Sequence, residues 1–199
     1  RAAGYRIHAS PGSLSRDRDN QRAMYARALR KHAYADVRGL YEAAGYASRL
    51  TDWGLLSMAM FRQEYEAAWE RLAGIATDLD EPAEVLEPDG PCTAPEGWRV
   101  AFHRGTLALL LGDPAAAVEA LEEAERLQPT AEGANNLGVA RARMGGLDEA
   151  RRCFTASLAR FSAGRDAADN LAAARPERVI THPLRRFGAR VDYPAAPAA

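Results

Sequence analysis

The sequence predicts an all-α fold made of helix–turn–helix pairs stacked side by side, and three observations carry that prediction. Six marked positions recur between Trp98 and Ser162: Gly105, Gly112, Ala117, Leu121, Ala124 and Pro129 are followed 33 residues later by Gly138, Gly145, Ala150, Phe154, Ser157 and Ser162. A repeat of this length, with small residues fixed inside a helical pattern, marks units of one helix pair each. Turn residues at Gly112–Asp113–Pro114 and Gly145–Gly146–Leu147–Asp148 divide the apolar stretches. Glycine ends one helix, Asp113 is placed to cap the next, and Pro114 suits a first helical position. The composition is globular, 47% hydrophobic and 27% charged, and no apolar run approaches the ~20 residues of a membrane-spanning helix.

The elements follow in chain order. Residues 1–16, with Gly4, Pro11, Gly12 and several serines, predict an irregular leader. Ala23, Met24, Ala28 and Leu29 form an apolar stripe that predicts a helix over Asp17–Lys31. Val37, Leu40, Tyr41 and Ala44 predict a second over Tyr34–Ala47, completing a diverged pair without glycine marks. In the next pair Leu55, Leu56 and Ala59 take first-helix positions, and Tyr65, Ala68, Leu72 and Ile75 take second-helix positions. Trp53 and Trp69 are expected to bury large surfaces there. The turn Arg62–Gln63–Glu64 lacks a glycine, which leaves its register open by one residue. Residues 17–77 thus hold two diverged pairs.

Residues 78–96 break the array. They are acidic and carry Pro82, Pro88, Pro91 and Pro95, which forbid a continuous helix and predict an insertion with one short turn around Ala83–Leu86. That insertion is either a binding edge or a solvated linker. Helices are expected near 97–111, 114–127, 131–145, 147–161 and 165–174. Asp169–Asn170–Leu171 repeats Asn135–Asn136–Leu137 at an offset of 34, so the last helix opens an unfinished pair and caps the stack, making 97–174 two clear units and a capping helix. The tail, 175–199, with several prolines and five arginines, is expected to be extended, either folded back on the helices or serving as a tether.

Leu137–Gly138, Gly145, Ala150, Phe154 and Ser157, with Gly105, Gly112–Asp113, Ala117, Ala124 and Pro129 in the preceding copy, resemble the tetratricopeptide repeat (TPR) pattern. The resemblance implies a right-handed superhelix of about four hairpins plus a C-terminal capping helix. It also implies a protein-binding role, because first helices in this family line a concave face that holds peptides. Carried over residue by residue, the groove positions are Arg99, Phe102, His103 and Thr106 in one unit and Asn135, Asn136, Val139 and Arg143 in the next. Asn136 matches the family asparagine that contacts peptide backbone; its amide both donates and accepts, as an extended chain requires. The competing reading has Asn136 tie adjacent repeats together. Phe102 stands where a chaperone-type carboxylate clamp has lysine, which argues against capture of an acidic C-terminus.

No enzymatic constellation is visible. His8, His32, His103 and His182 are widely spread, and Gly105 and Gly112 are not followed by the lysine of a phosphate loop. Glu122, Glu123 and Glu125 read as a solvated helix face. Cys92 and Cys153 fit no metal spacing and are expected to be unpaired. The net charge of −1 does not call for nucleic acid, although residues 1–38 are basic. The expectation is a non-enzymatic adaptor or assembly scaffold, with another protein or peptide as partner and no cofactor, metal or small-molecule substrate. The alternatives are a structural subunit of an oligomer or, less favoured, an anionic-surface or nucleic-acid binder. The alanine- and arginine-rich composition is associated with a GC-rich bacterial genome. The resemblance extends to bacterial envelope TPR lipoproteins of pilus and secretion assembly. A chain starting at Arg1 fits a removed leader or lipid anchor, so a periplasmic or outer-membrane setting is slightly favoured over the cytoplasm.

Overall fold

The computed structural model describes residues 30–43, 45, 48–76, 86–87, 90–91 and 96–181. Among these residues the chain is all-helical apart from one minimal ladder. The helices are α1 (Tyr34–Ala43), α2 (Ser48–Arg62), α3 (Tyr65–Ala76), α4 (Glu96–Leu111), α5 (Pro114–Leu127), α6 (Ala131–Arg143), α7 (Leu147–Arg160) and α8 (Arg165–Ala172). Between α3 and α4, β1 (Leu86–Glu87) and β2 (Gly90–Pro91) pair antiparallel, Leu86 with Pro91 and Glu87 with Gly90. Leu86 is therefore extended, and the rest of the turn expected at Ala83–Leu86 lies outside the described residues. So do residues 1–16 and 182–199. Of the helix expected over Asp17–Lys31, only Arg30 and Lys31 are described, and both lie in a turn.

Each helix packs on its sequence neighbour, and α4 also touches α6, as α6 touches α8. Three turns share one hydrogen-bond scheme. Between α4 and α5 the Gly112 N–H donates to the Leu109 carbonyl (3.3 Å) and the Asp113 N–H to Ala108 (2.8 Å). Between α6 and α7 Gly145 donates to Ala142 (3.0 Å) and Gly146 to Arg141 (2.9 Å). Between α2 and α3 Gln63 donates to Met60 (3.1 Å) and Glu64 to Ala59 (3.0 Å). The scheme satisfies the last carbonyls of a helix and requires a left-handed residue after it. Gly112 and Gly145 supply φ of +89° and +87°, and Gln63 adopts +63° in their place. This fixes the register that the missing glycine had left open. Asp113 caps α5 by accepting from the Ala116 N–H (3.0 Å), and Thr130 caps α6 by accepting from Gly133 (2.9 Å).

The two repeated mid-helix glycines are required by close approach. A Cβ on Gly105 would lie 2.5 Å from Leu121 Cγ and 3.1 Å from the Ala117 carbonyl; one on Gly138 would lie 2.5 Å from Phe154. The bulky residue of each second helix is thus the main occupant of the glycine gap, ahead of the alanine four positions earlier. α5 and α7 bury one stripe each, Ala117, Ala120, Leu121 and Ala124 in the first and Ala150, Phe154 and Ser157 in the second. α6 buries every residue from Ala131 to Ala140, so it is covered on all sides. α4 serves two cores: Val100 and Leu107 pack with Trp53, Leu56, Leu72 and Ile75, while Trp98, Phe102 and Leu109 pack with Leu121, Val139 and Phe154.

Three expectations are corrected. Trp69 is 39% exposed and does not join the core with Trp53. The helix expected over Tyr34–Ala47 ends at Ala43 and buries no residue, and Leu40 is 69% exposed. Glu125 is not part of a solvated face: it accepts from the Thr130 N–H (3.1 Å) and from Arg160, which also donates to the Thr130 carbonyl (2.7 Å). Burial raises the Glu125 carboxyl above its ordinary value, and the hydrogen bonds from Thr130 and Arg160 oppose that rise only in part. The result is a half-buried polar tie between the α5–α6 turn and α7.

Candidate functional site

Because α4 touches α6 and α6 touches α8, the side chains these helices direct to one side form a continuous face. Polar residues are concentrated on it. Thr106, Asn135 and Asn136 are fully buried, and Asn170 of α8 is 1% exposed. Buried amides need partners, and theirs come largely from the chain's own C-terminal part. After α8 the chain turns at residues 173–175, and residues 176–181 return without helix or strand. Pro176, Val179 and Ile180 in this strap are buried.

Two asparagines each clasp one strap residue by its main chain. Asn170 Nδ2 donates to the Arg178 carbonyl (2.9 Å), and its Oδ1 accepts from the Arg178 N–H (2.8 Å). Asn136 Nδ2 donates to the Ile180 carbonyl (2.8 Å), and its Oδ1 accepts from the Ile180 N–H (2.8 Å). Asn135 links the clasps, donating to the Arg178 carbonyl (2.8 Å) and to Asn136 Oδ1 (3.1 Å) while accepting from Asn170 (3.0 Å). Thr106 Oγ1 accepts the remaining Asn136 donor (3.0 Å). The three amides use both their N–H donors and their oxygens, the condition under which a buried polar network rigidifies a site.

The other predicted positions lie differently. Phe102 is fully buried and stacks on Trp98 at 5.1 Å, and Val139 is fully buried in the same core, so both support the face from beneath. Arg99 lies over the Trp53 ring at 4.1 Å, and His103, 4% exposed, packs between Trp53 (5.6 Å) and Phe102 (5.4 Å). Arg143 alone of the eight is exposed, and its guanidinium donates to the Leu109 carbonyl at the end of α4 (2.6 Å), where a cation suits the helix dipole. The expected open groove is therefore filled: Thr106, Asn135 and Asn136 converge on the strap, Arg99, Phe102 and His103 form an aromatic and cationic cluster with Trp53, and Arg143 joins two helices.

Sequence reasoning missed Asn170, Val179 and Ile180 as site residues. The signal for Asn170 was its 34-residue offset from Asn136, and for the strap the adjacent aliphatic pair Val179–Ile180 between polar neighbours on either side. Beside the strap is a cavity of about 260 Å³, lined by Met60, Phe61, Tyr65, Leu110, Arg143 and Val179 among others. Among the described residues no group of three or more His, Cys, Asp and Glu side chains converges, and no helix is long and apolar enough to cross a membrane. Cys153 is free and half-buried, and burial pushes its thiol up; Cys92 lies outside the described residues. The arrangement supplies recognition of main chain. No protein-family model matches the chain, and no curated protein matches it.

Proposed function

We propose that the helix pairs α2–α3, α4–α5 and α6–α7, with α8 opening a further pair, form a TPR-type superhelix. We propose further that the chain acts as a non-enzymatic adaptor or assembly scaffold, holding an extended segment of a partner protein on the face of α4, α6 and α8. One observation carries this reading: Asn136 and Asn170 each grip the N–H and C=O of a single residue, at positions two apart in an extended chain. Such a grip reads backbone and is indifferent to the side chain at the gripped position, so it can serve a polypeptide of another protein as well as its own.

The test is selection of peptides from a random extended-peptide library on the full-length protein. The expected outcome is enrichment of peptides with dissociation constants of about 10⁻⁶ M, corresponding to roughly 8 kcal/mol. Binding should be lost when Asn136→Ala and Asn170→Ala are combined. No enrichment, or enrichment indifferent to both asparagines, would overturn the reading.

A further inference from the structure

We infer that the strap at residues 176–181 is a displaceable cis ligand, and that the partner segment it stands in for carries a leucine, methionine or phenylalanine at the place of Val179, followed by an aliphatic residue at the place of Ile180. This rests on the peptide-holding reading above and sharpens it.

The clasps fix where selectivity can arise. They hold Arg178 and Ile180 through main-chain atoms, and Arg178, like Glu177, is exposed. Pro176, Val179 and Ile180 bury apolar side chains in the strap, and of these Val179 and Ile180 lie between and at the clasps, where the face reads sequence beside the gripped main chain. These two positions are not equally well filled. Val179 borders the 260 Å³ cavity, whose walls include Met60, Phe61, Tyr65 and Leu110. The pocket is open on one side and its remaining lining is polar, with Gln63, Arg143, Glu177, Arg178 and Thr181, and valine is too short to cover its apolar wall. A longer apolar side chain at this position gains contacts that the cis segment lacks.

The strap is also held in a way that suits exchange. The clasps hold its main chain at Arg178 and Ile180 through asparagine side chains, and they release together if the amides let go. What favours the cis segment is its tether: only residues 173–175 separate it from α8, which gives it an effective concentration in the millimolar range or above. A ligand in trans is penalised by the fraction of molecules in which the strap is closed.

The experiment uses the full chain and two labelled synthetic peptides, one with the sequence of residues 175–181 and one identical except for Val179→Leu, measured by fluorescence anisotropy. A full-length variant with a weakened strap, V179S with I180S, should bind the Val179→Leu peptide at least about tenfold more tightly than the wild type does. It should also prefer that peptide to the native-sequence one. In the wild-type chain, saturating Val179→Leu peptide should accelerate amide exchange at Arg178 and Ile180 while leaving α6 protected, which tests displacement without any variant. If exchange at these amides is unchanged, or the folded weakened variant prefers the native-sequence peptide, the inference fails. If the folded weakened variant selects other peptides from the library but neither of these two, the inference fails and the proposed function stands. If it selects none, both fail.

Discussion

Gln63 shows how much one residue can be asked to tolerate. It takes a left-handed conformation, φ +63°, at the position that Gly112 and Gly145 fill in the other two turns. A side chain there costs about 1–2 kcal/mol, and a glycine returns part of that through its looser unfolded chain. Gln63→Gly is expected to stabilise the protein by about 0.5–1 kcal/mol, raising Tm by roughly 1–4 °C in a chain of this size. Thermal unfolding followed by circular dichroism checks it, and an unchanged or lower Tm would mean that Gln63 makes compensating contacts. The asparagines are the opposite case. Mid-helix asparagine is a poor helix former and a costly residue to bury alone, yet Asn135, Asn136 and Asn170 are held in place by each other and by the strap.

At the scale of elements, Glu125 ties the α5–α6 turn to α7 through Thr130 and Arg160. Its carboxyl is raised by burial, so the folded state takes up a proton at a higher pH than the unfolded chain does. The sign follows directly: between the ordinary value of 4.5 and the raised folded value the native state binds more protons, and stability falls as pH rises through that window. Wild type is therefore expected to gain stability relative to Glu125→Gln as pH is lowered from neutral to about 4.5. Urea midpoints of the two proteins at several pH values measure this; a difference that shrinks or stays constant on acidification would contradict it. Helix bounds at this scale were legible wherever punctuation was strong. The helix expected over 114–127 is Pro114–Leu127, set by Gly112, Asp113 and Pro114. α1 was overextended because Gly45, at φ +76° with its N–H on the Glu42 carbonyl, turns the chain out of the helix before Ala47.

At the scale of the whole molecule, α4 joins two cores, with Leu107 fully buried in one and Leu109 nearly so in the other. Leu107→Ala is expected to cost about 2–5 kcal/mol. Because Trp53 and Trp98 lie one in each core, tryptophan fluorescence and far-ultraviolet circular dichroism should still report a single coincident transition. Separate transitions would show that the stack unfolds pair by pair. The repeated framework was legible in the sequence because its glycines and alanines recur at a fixed offset and each marks a local packing need. The strap was not legible, because it has no period of its own. It is specified by asparagines as far as 43 and 44 residues away in the chain, and polar residues on a helix read as solvated until something is found to cover them.

Pro176 gives the strap a phase. The clasps act on residues two apart, and any slip of the segment carries Val179 and Ile180 away from the two positions where they are buried. A slip that brought residues 176 and 178 under Asn170 and Asn136 would put a proline where the Asn170 oxygen needs an N–H, and proline has none. The chain thus carries its own stop against sliding in that direction. If the face holds a partner segment as proposed, the same rule extends to it: an imino acid at either gripped position lacks the N–H that the asparagine oxygen needs, so segments would be sorted first by where their prolines fall and only afterwards by their side chains.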